Sequence, residues 1–318
     1  MNIGFVYAGQ GSQHLGQGQD FYEKYQSVKD TYTRATQIVS PITEMNLAQL
    51  SFEGPEEKLS QTRYTQPAMV TFGVAVTDLL LKENIHPAYV CGLSLGEYTA
   101  LYAAGVIDRD TVISLVAKRG RYMEEAAQGI EVKMSAVLGL DRATVVECCQ
   151  KVTEAYGGEK ICQAVNFNCP GQIVISGDAL AVDKASALLK EAGAKRVLAL
   201  KVSGPFHTSL MKPAGDALAR EFESVDFRNP NTGVIFNCLG QGMSERDNIA
   251  DLLVRQVQSP VYFEDSIRYM ADQGVDVIVE IGPGRAMSKL IAKTLPDMPV
   301  YSIDKVEDYE MIVKELKA

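Results

Sequence analysis

Three observations predict an α/β fold built on a parallel sheet, with a smaller unit inserted into it. From residue 1 to about 125, short apolar strand-like runs are each followed by a helical pattern. Between about 130 and 200 the order changes to β-α-β-β-α-β. Strands of the first kind then return, at "TGVIFNCLG" and "VDVIVEIGPG".

The elements follow in order. "NIGFVYAG" reads as the first strand and "QPAMVTFGVAVTDLLLKE" as a helix. "HPAYVCG" is a short buried strand, "EYTALYAAG" a helix closed by Gly105, and "TVISLVAKRGRYMEEAAQ" another helix. In the inserted unit, "MSAVLGL" is a strand and "DRATVVECCQKVTEAY" a helix. "ICQAVNFN" and "QIVISGD" form a hairpin about "CPG". "LAVDKASALLKEAG" is a helix and "KRVLALKVSG" a strand. This order is that of a ferredoxin-like subdomain. It places the small subdomain at 128–198 and the large one at 1–127 with 199–318.

Composition narrows the function. With 318 residues, 46% hydrophobic and 22% charged, the chain has enough apolar material for a large core. Its N-terminus has no basic region before a short apolar run, and no stretch reaches spanning length, so neither a signal peptide nor a membrane is expected. Six cysteines without a CxxC pair argue against a zinc site or a disulfide framework and for reduced thiols in a cytoplasm. A net charge of −9 argues against nucleic acid.

"GLSLGE" places Ser94 between Gly92 and Gly96, after a strand and before a helix. A serine on such a tight turn has its hydroxyl exposed, and side chains two places away on either side would collide. That context suits a nucleophile; an ordinary turn serine is the competing reading. "GQGSQHLG" resembles a nucleotide loop and fails both tests. A dinucleotide fingerprint opening at Gly9 needs glycine at His14, and a P-loop opening at Gly11 needs lysine at Gln17. No cofactor is expected. The loop at Gln10, with the residue after the nucleophile, Leu95, could instead supply backbone donors for an oxyanion.

A serine needs a base, and the chain has three histidines. His86 precedes Pro87 at the wrong end of the nucleophile strand. His14, in the glycine-rich loop, remains open. His207, in "SGPFHTSLMKP", follows a strand and enters a helix, where catalytic residues of α/β sheets sit, and is favoured on position. On the helix from Thr111, Arg119 falls within the stripe of Val112, Leu115, Val116, Met123 and Ala126. A buried guanidinium needs an anionic partner. That partner is either an internal carboxylate, in a structural salt bridge, or the carboxylate of a dicarboxylic acyl substrate.

"GQGSQ", "FEGPEEKLSQTRYTQPA", "GLSLGE", "VNFNCPGQIVISG", "SGPFHTSLMKP" and "VEIGPG" occur in the order seen in the malonyl-CoA:acyl-carrier-protein transacylases, which the chain resembles over essentially its whole length. The resemblance implies an α/β-hydrolase-like core with a ferredoxin-like insert. It also implies ping-pong transfer of malonyl from malonyl-CoA, through a serine ester, to the phosphopantetheine thiol of acyl carrier protein in fatty-acid synthesis. The family's nucleophile falls on Ser94, its base on His207, its carboxylate-binding arginine on Arg119 and its oxyanion amides on Gln10 and Leu95. Its histidine is steered by a backbone carbonyl that falls on Gln256, without an acidic third member. Phe206 matches members that favour malonyl over branched units, by steric exclusion. Most members carry histidine where Leu93 stands; on such a turn that side chain should point away from the nucleophile's, leaving base and amides intact.

The expected partners are malonyl-CoA and an acidic acyl carrier protein, and a monomer is expected. The carrier is expected to dock near Lys195 and Arg196, because Lys184, Lys190, Lys195, Arg196, Lys201 and Lys212 are opposed between residues 184 and 212 by Glu191 alone. Two other readings share the nucleophile: a serine esterase or thioesterase, and a stand-alone acyltransferase of a polyketide synthase.

Overall fold

The computed structural model describes residues 1–201 and 204–317. The chain opens with β1 (Ile3–Tyr7), followed by α1 (Gln19–Lys24), α2 (Gln26–Thr43), α3 (Leu47–Glu53), α4 (Glu56–Leu59) and α5 (Thr62–Lys82). Next come β2 (Tyr89–Gly92), α6 (Gly96–Ala103) and α7 (Arg109–Ala126). The middle holds β3 (Val132–Leu138), α8 (Arg142–Ala155), β4 (Cys162–Cys169), β5 (Gln172–Asp178), α9 (Ala179–Glu191) and β6 (Arg196–Leu200). The last part contains α10 (Lys212–Phe222), β7 (Gly233–Phe236), β8 (Gln241–Gly242), α11 (Ile249–Val257) and α12 (Phe263–Asp272). It ends with β9 (Val277–Ile281), α13 (Ala286–Thr294), β10 (Val300–Ile303) and α14 (Val306–Leu316).

Six strands form one sheet in the order β10-β9-β1-β2-β7-β8, parallel except for the β7–β8 pair. All five residues of β1 and of β9 are buried, as expected where helices cover both faces of a parallel sheet. The loops leaving β1 and β2 at their C-terminal ends therefore meet at one edge, the usual place for a site in such sheets.

The inserted segment forms a second sheet, antiparallel throughout, in the order β4-β5-β3-β6. Asp141 starts α8 by accepting the Thr144 amide at 3.0 Å. One face of this sheet buries Phe167, Ile173 and Ile175 with Val145 of α8 and Leu189 of α9, in a core of its own. Alternate residues Met134, Val165 and Val174 join the large core instead. Arg142 ties the two units further, reaching Glu264 at 3.0 Å and Asp265 at 2.9 Å.

The structure adjusts several expectations. Helix α5 starts at Thr62, four residues before the start read at Gln66, with Pro67 inside it. Strand β6 runs to Leu200, two residues past the boundary expected at 198, because Leu200 still pairs with Met134. The continuation of that strand over Val202 and Ser203 lies outside the described residues. Among the described residues, no helix is long and apolar enough to cross a membrane.

Candidate active site

The turn between β2 and α6 explains the paired glycines. A Cβ on Gly92 would lie 2.1 Å from the Gly96 carbonyl carbon, and one on Gly96 would lie 2.2 Å from the Tyr7 carbonyl oxygen at the end of β1. Both contacts are impossible, so only glycine lets the turn close against β1. Ser94, at its tip, has φ of 52°, a conformation that non-glycine residues seldom adopt.

His207 follows the loop after β6 and is buried, also at positive φ, 62°. Its Nε2 lies 2.8 Å from Ser94 Oγ and its Nδ1 2.9 Å from the Gln256 carbonyl oxygen, near the end of α11. A carbonyl can only accept, so Nδ1 carries the proton and Nε2 accepts the Ser94 hydroxyl. Burial, reinforced by the nearby Arg119 cation, pushes the imidazole pKa down to about 4, so it is neutral and basic at neutral pH. His14 contacts Asp304 and the Leu15 carbonyl instead, and His86 is exposed elsewhere. Of the three histidines, His207 alone reaches Ser94.

Arg119 lies on the buried face of α7, which starts where Asp108 accepts the Thr111 amide. It is 1% exposed. Its Nη1 donates to Gln66 Oε1 at 3.0 Å, and its Nη2 donates to Gln256 Oε1 at 3.0 Å and to Ser94 Oγ at 3.1 Å. The guanidinium also lies 5.3 Å from the centre of the Tyr98 ring. Burial lowers its pKa, opposed by Tyr98 and Glu97, yet an arginine stays charged. Its hydrogen-bond partners are all neutral, and its Nε has none among the described residues. The internal salt bridge, one of the two readings of the sequence, is therefore absent among the described residues. What remains is a desolvated cation beside the serine.

Ser94, His207 and Arg119 line a cavity of about 450 Å³ together with Gln10, Leu95 and Phe206. The backbone amides of Gln10 and Leu95 donate to no group among the described residues, which suits donors held for a transient oxyanion; the Gln10 side-chain amide donates to Thr62 at 3.0 Å. Leu93 is among the residues that line the same cavity. The glycine-rich loop passes beside it: a Cβ on Gly9 would fall 3.2 Å from Leu93 Cβ, so the leucine fills space between loop and cavity.

Three contributors were not read from the sequence. Gln66 holds Arg119, and the Gln256 side chain bonds both Arg119 and, at 2.7 Å, the Ser94 carbonyl. Asn237 accepts the Ser94 amide at 2.6 Å. Gln66 lay within a quoted motif; Asn237 carried no signal beyond ending a strand. Chemically, the arrangement offers a serine hydroxyl on a neutral imidazole, free amides, and a cation suited to a carboxylate.

Comparison with known proteins agrees with this geometry. A family model described as the acyl transferase domain matches residues 4–313. The chain is 39% identical over 315 residues to the malonyl CoA-acyl carrier protein transacylase of Bacillus subtilis, covering 99% of this chain and 97% of that one. It resembles the crystal structure of MCAT from Streptococcus pneumoniae with a TM-score of 0.91 and 42% identity, over 99% of this chain and 100% of that one. It is also similar to a malonyl-transacylase solved in complex with a type II PKS acyl-carrier protein, with a TM-score of 0.92 and 35% identity, over 99% and 100%. A match of this extent in sequence and in fold leaves one conclusion: the chain belongs to the acyl transferase domain family, among the malonyl CoA-acyl carrier protein transacylases.

Proposed function

We propose that the chain transfers the malonyl group from malonyl-CoA to the phosphopantetheine thiol of an acyl carrier protein, through an ester on Ser94, for fatty-acid synthesis. His207 Nε2 takes the Ser94 proton as Oγ attacks the thioester carbon; the C–O bond forms and the C–S bond breaks. The departing coenzyme A thiolate leaves with the proton from His207. In the second half the carrier thiol gives its proton to His207 and attacks the ester, and Ser94 recovers the proton as it leaves. The Gln10 and Leu95 amides stabilise both oxyanions, while Arg119 grips the malonyl carboxylate. Phe206 limits space at the α-carbon. No cofactor enters this scheme, since coenzyme A and phosphopantetheine are substrates.

The observation that carries this reading is Arg119: a buried cation 3.1 Å from the Ser94 hydroxyl with only neutral partners. A lipase-like or thioesterase pocket has no use for it. In fold terms the reading is an α/β-hydrolase-like core, supported by the strand–turn–helix at Ser94, with a ferredoxin-like insert, supported by the β4-β5-β3-β6 order. The separate small core supports the division into two subdomains, with the boundary best drawn after Leu200. One copy of the chain holds every group the scheme uses, in keeping with a monomer. Six unpaired, buried cysteines suit a cytoplasmic enzyme.

The direct experiment is intact-protein mass spectrometry after mixing with malonyl-CoA. A malonyl adduct is expected on the parent and none on Ser94→Ala; an adduct on the variant would overturn the assignment. Delivery to a polyketide-type carrier is a second reading, favoured by the likeness to a transacylase solved with such a carrier. Comparing transfer rates to the two kinds of carrier separates them.

A further inference from the structure

Asn237 and Glu97 are both completely buried next to the turn, and neither enters the proton transfers above. Resting on the reading of Ser94 as nucleophile, we propose that Asn237 is a positioning residue that holds the Ser94 turn in its reactive geometry, itself fixed by Glu97.

The argument begins at the sheet. Strand β7 pairs with β2 in parallel through Tyr89–Gly233 and Val90–Val234. Beyond that point a side chain makes the link. Asn237 directly follows β7, its Nδ2 donates to the Gly92 carbonyl at 2.7 Å, and its Oδ1 accepts the Ser94 amide at 2.6 Å. One planar carboxamide thus bridges an acceptor and a donor two residues apart, spanning Leu93 and ending at the amide from which the φ of 52° at Ser94 departs. An unusual backbone conformation persists when its surroundings over-determine it: the bridge fixes the peptide plane before Ser94, and Gln256 Nε2, on the Ser94 carbonyl at 2.7 Å, fixes the one after it.

The bridge also sorts the donors. Ser94's own amide is occupied, while the next amide, that of Leu95, is left for the cavity. Asn237 is held in turn at its backbone: its amide donates to Glu97 Oε2 at 2.5 Å, and its carbonyl accepts the Tyr262 amide at 2.9 Å. All four polar groups of Asn237 are therefore used. Glu97 sits on the first turn of α6, three residues beyond the nucleophile, so turn and clamp share one rigid element. An apolar side chain at 237 would fill the space but leave the Ser94 amide and the Gly92 carbonyl unpaired in a dry site.

The test uses Asn237→Ala, Glu97→Ala and Glu97→Gln in the full chain, with two substrates for Ser94: malonyl-CoA and a serine-directed fluorophosphonate. The probe reacts by forming an Oγ–P bond and expelling fluoride, the hydroxyl proton passing to His207. Asn237→Ala should lower kcat and probe labelling by about 10²-fold, the usual effect of a small misplacement, with KM for malonyl-CoA within about two-fold. Glu97→Ala should lower kcat similarly, and Glu97→Gln, which keeps an acceptor for the Asn237 amide, should restore it. A lowered melting temperature with kcat unchanged per folded site would reduce Asn237 to a packing role and overturn the proposal. If Asn237→Ala fails to fold, the Glu97 pair decides, and equal kcat for Ala and Gln overturns it. A parent labelled by the fluorophosphonate but not by malonyl-CoA would refute the malonyl reading alone, and the labelling rates would still test the positioning.

Discussion

At the scale of the residue, two charge states govern the chemistry. His207 has its pKa pushed down to about 4 by burial and by the Arg119 cation, against an ordinary histidine value near 6.5. In the proposed mechanism its neutral form is the base, so acylation should hold its rate as pH falls through 6.5 and decline only near 4. The stability sign is also defined. Between those values the unfolded chain binds a proton that the folded chain refuses, so stability is fully present above 6.5 and is lost as pH falls, by about 3 kcal/mol at most. A pH–rate profile of serine acylation with its acid limb near 6.5 would contradict this. Arg119 makes the second residue-scale prediction. Arg119→Ala should cost about 3 kcal/mol or more of kcat/KM for malonyl-CoA, over 10²-fold, as a buried charge pair loses one partner. Acetyl-CoA, which offers no carboxylate, should be little affected. Kinetics on both thioesters with a thermal melt decide it, and parallel losses on the two would reject the carboxylate clamp.

At the scale of the element, legibility followed length and steric necessity. The Ser94 turn could be read from six letters because the two glycines answer to contacts near 2 Å that no other residue survives. Helix α7 was legible, Arg119 included, because 18 residues give several turns over which an apolar stripe repeats. The opposite holds for α1, α3 and α4, whose six, seven and four residues are too few to show a period. Helix α5 was read late because Pro67 looks like a first-turn residue; the fold tolerates it one turn further in. The site was only partly legible for a related reason. Ser94, His207 and Arg119 announce themselves by residue type and context. Asn237 and Gln66 act through neighbours brought from distant parts of the chain, 143 and 53 residues away, and no local pattern records such a meeting.

At the scale of the whole molecule, a chain of net charge −9 that serves an acidic carrier in the proposed reaction must overcome like-charge repulsion. Repulsion at long range must be offset by a locally basic surface. The structure divides the six cations predicted to supply it, of which Lys190 is exposed in the last turn of α9. Lys212 pairs with Asp216 at 2.7 Å, and Lys184 lies over the Tyr156 ring, so neither is fully available. Lys201 lines the cavity that holds Ser94. Lys195 and Arg196 are exposed at the far end of β6, an edge strand of the small sheet. Six residues of extended chain separate Lys195 from Lys201, about 20 Å. A carrier seated along this edge would meet two cations at one end while its thiol enters beside Lys201 at the other. Coenzyme A needs only the cavity end. Charge reversal at Lys195 and Arg196 together should therefore raise KM for the carrier by about ten-fold, more at low salt than at high, and leave KM for malonyl-CoA unchanged. Reversal at Lys201 should weaken both substrates, because both pass that point. Steady-state kinetics at two ionic strengths measure all three effects. An equal rise in both KM values for the Lys195 and Arg196 variant, or no rise in either, would mean that the carrier docks elsewhere.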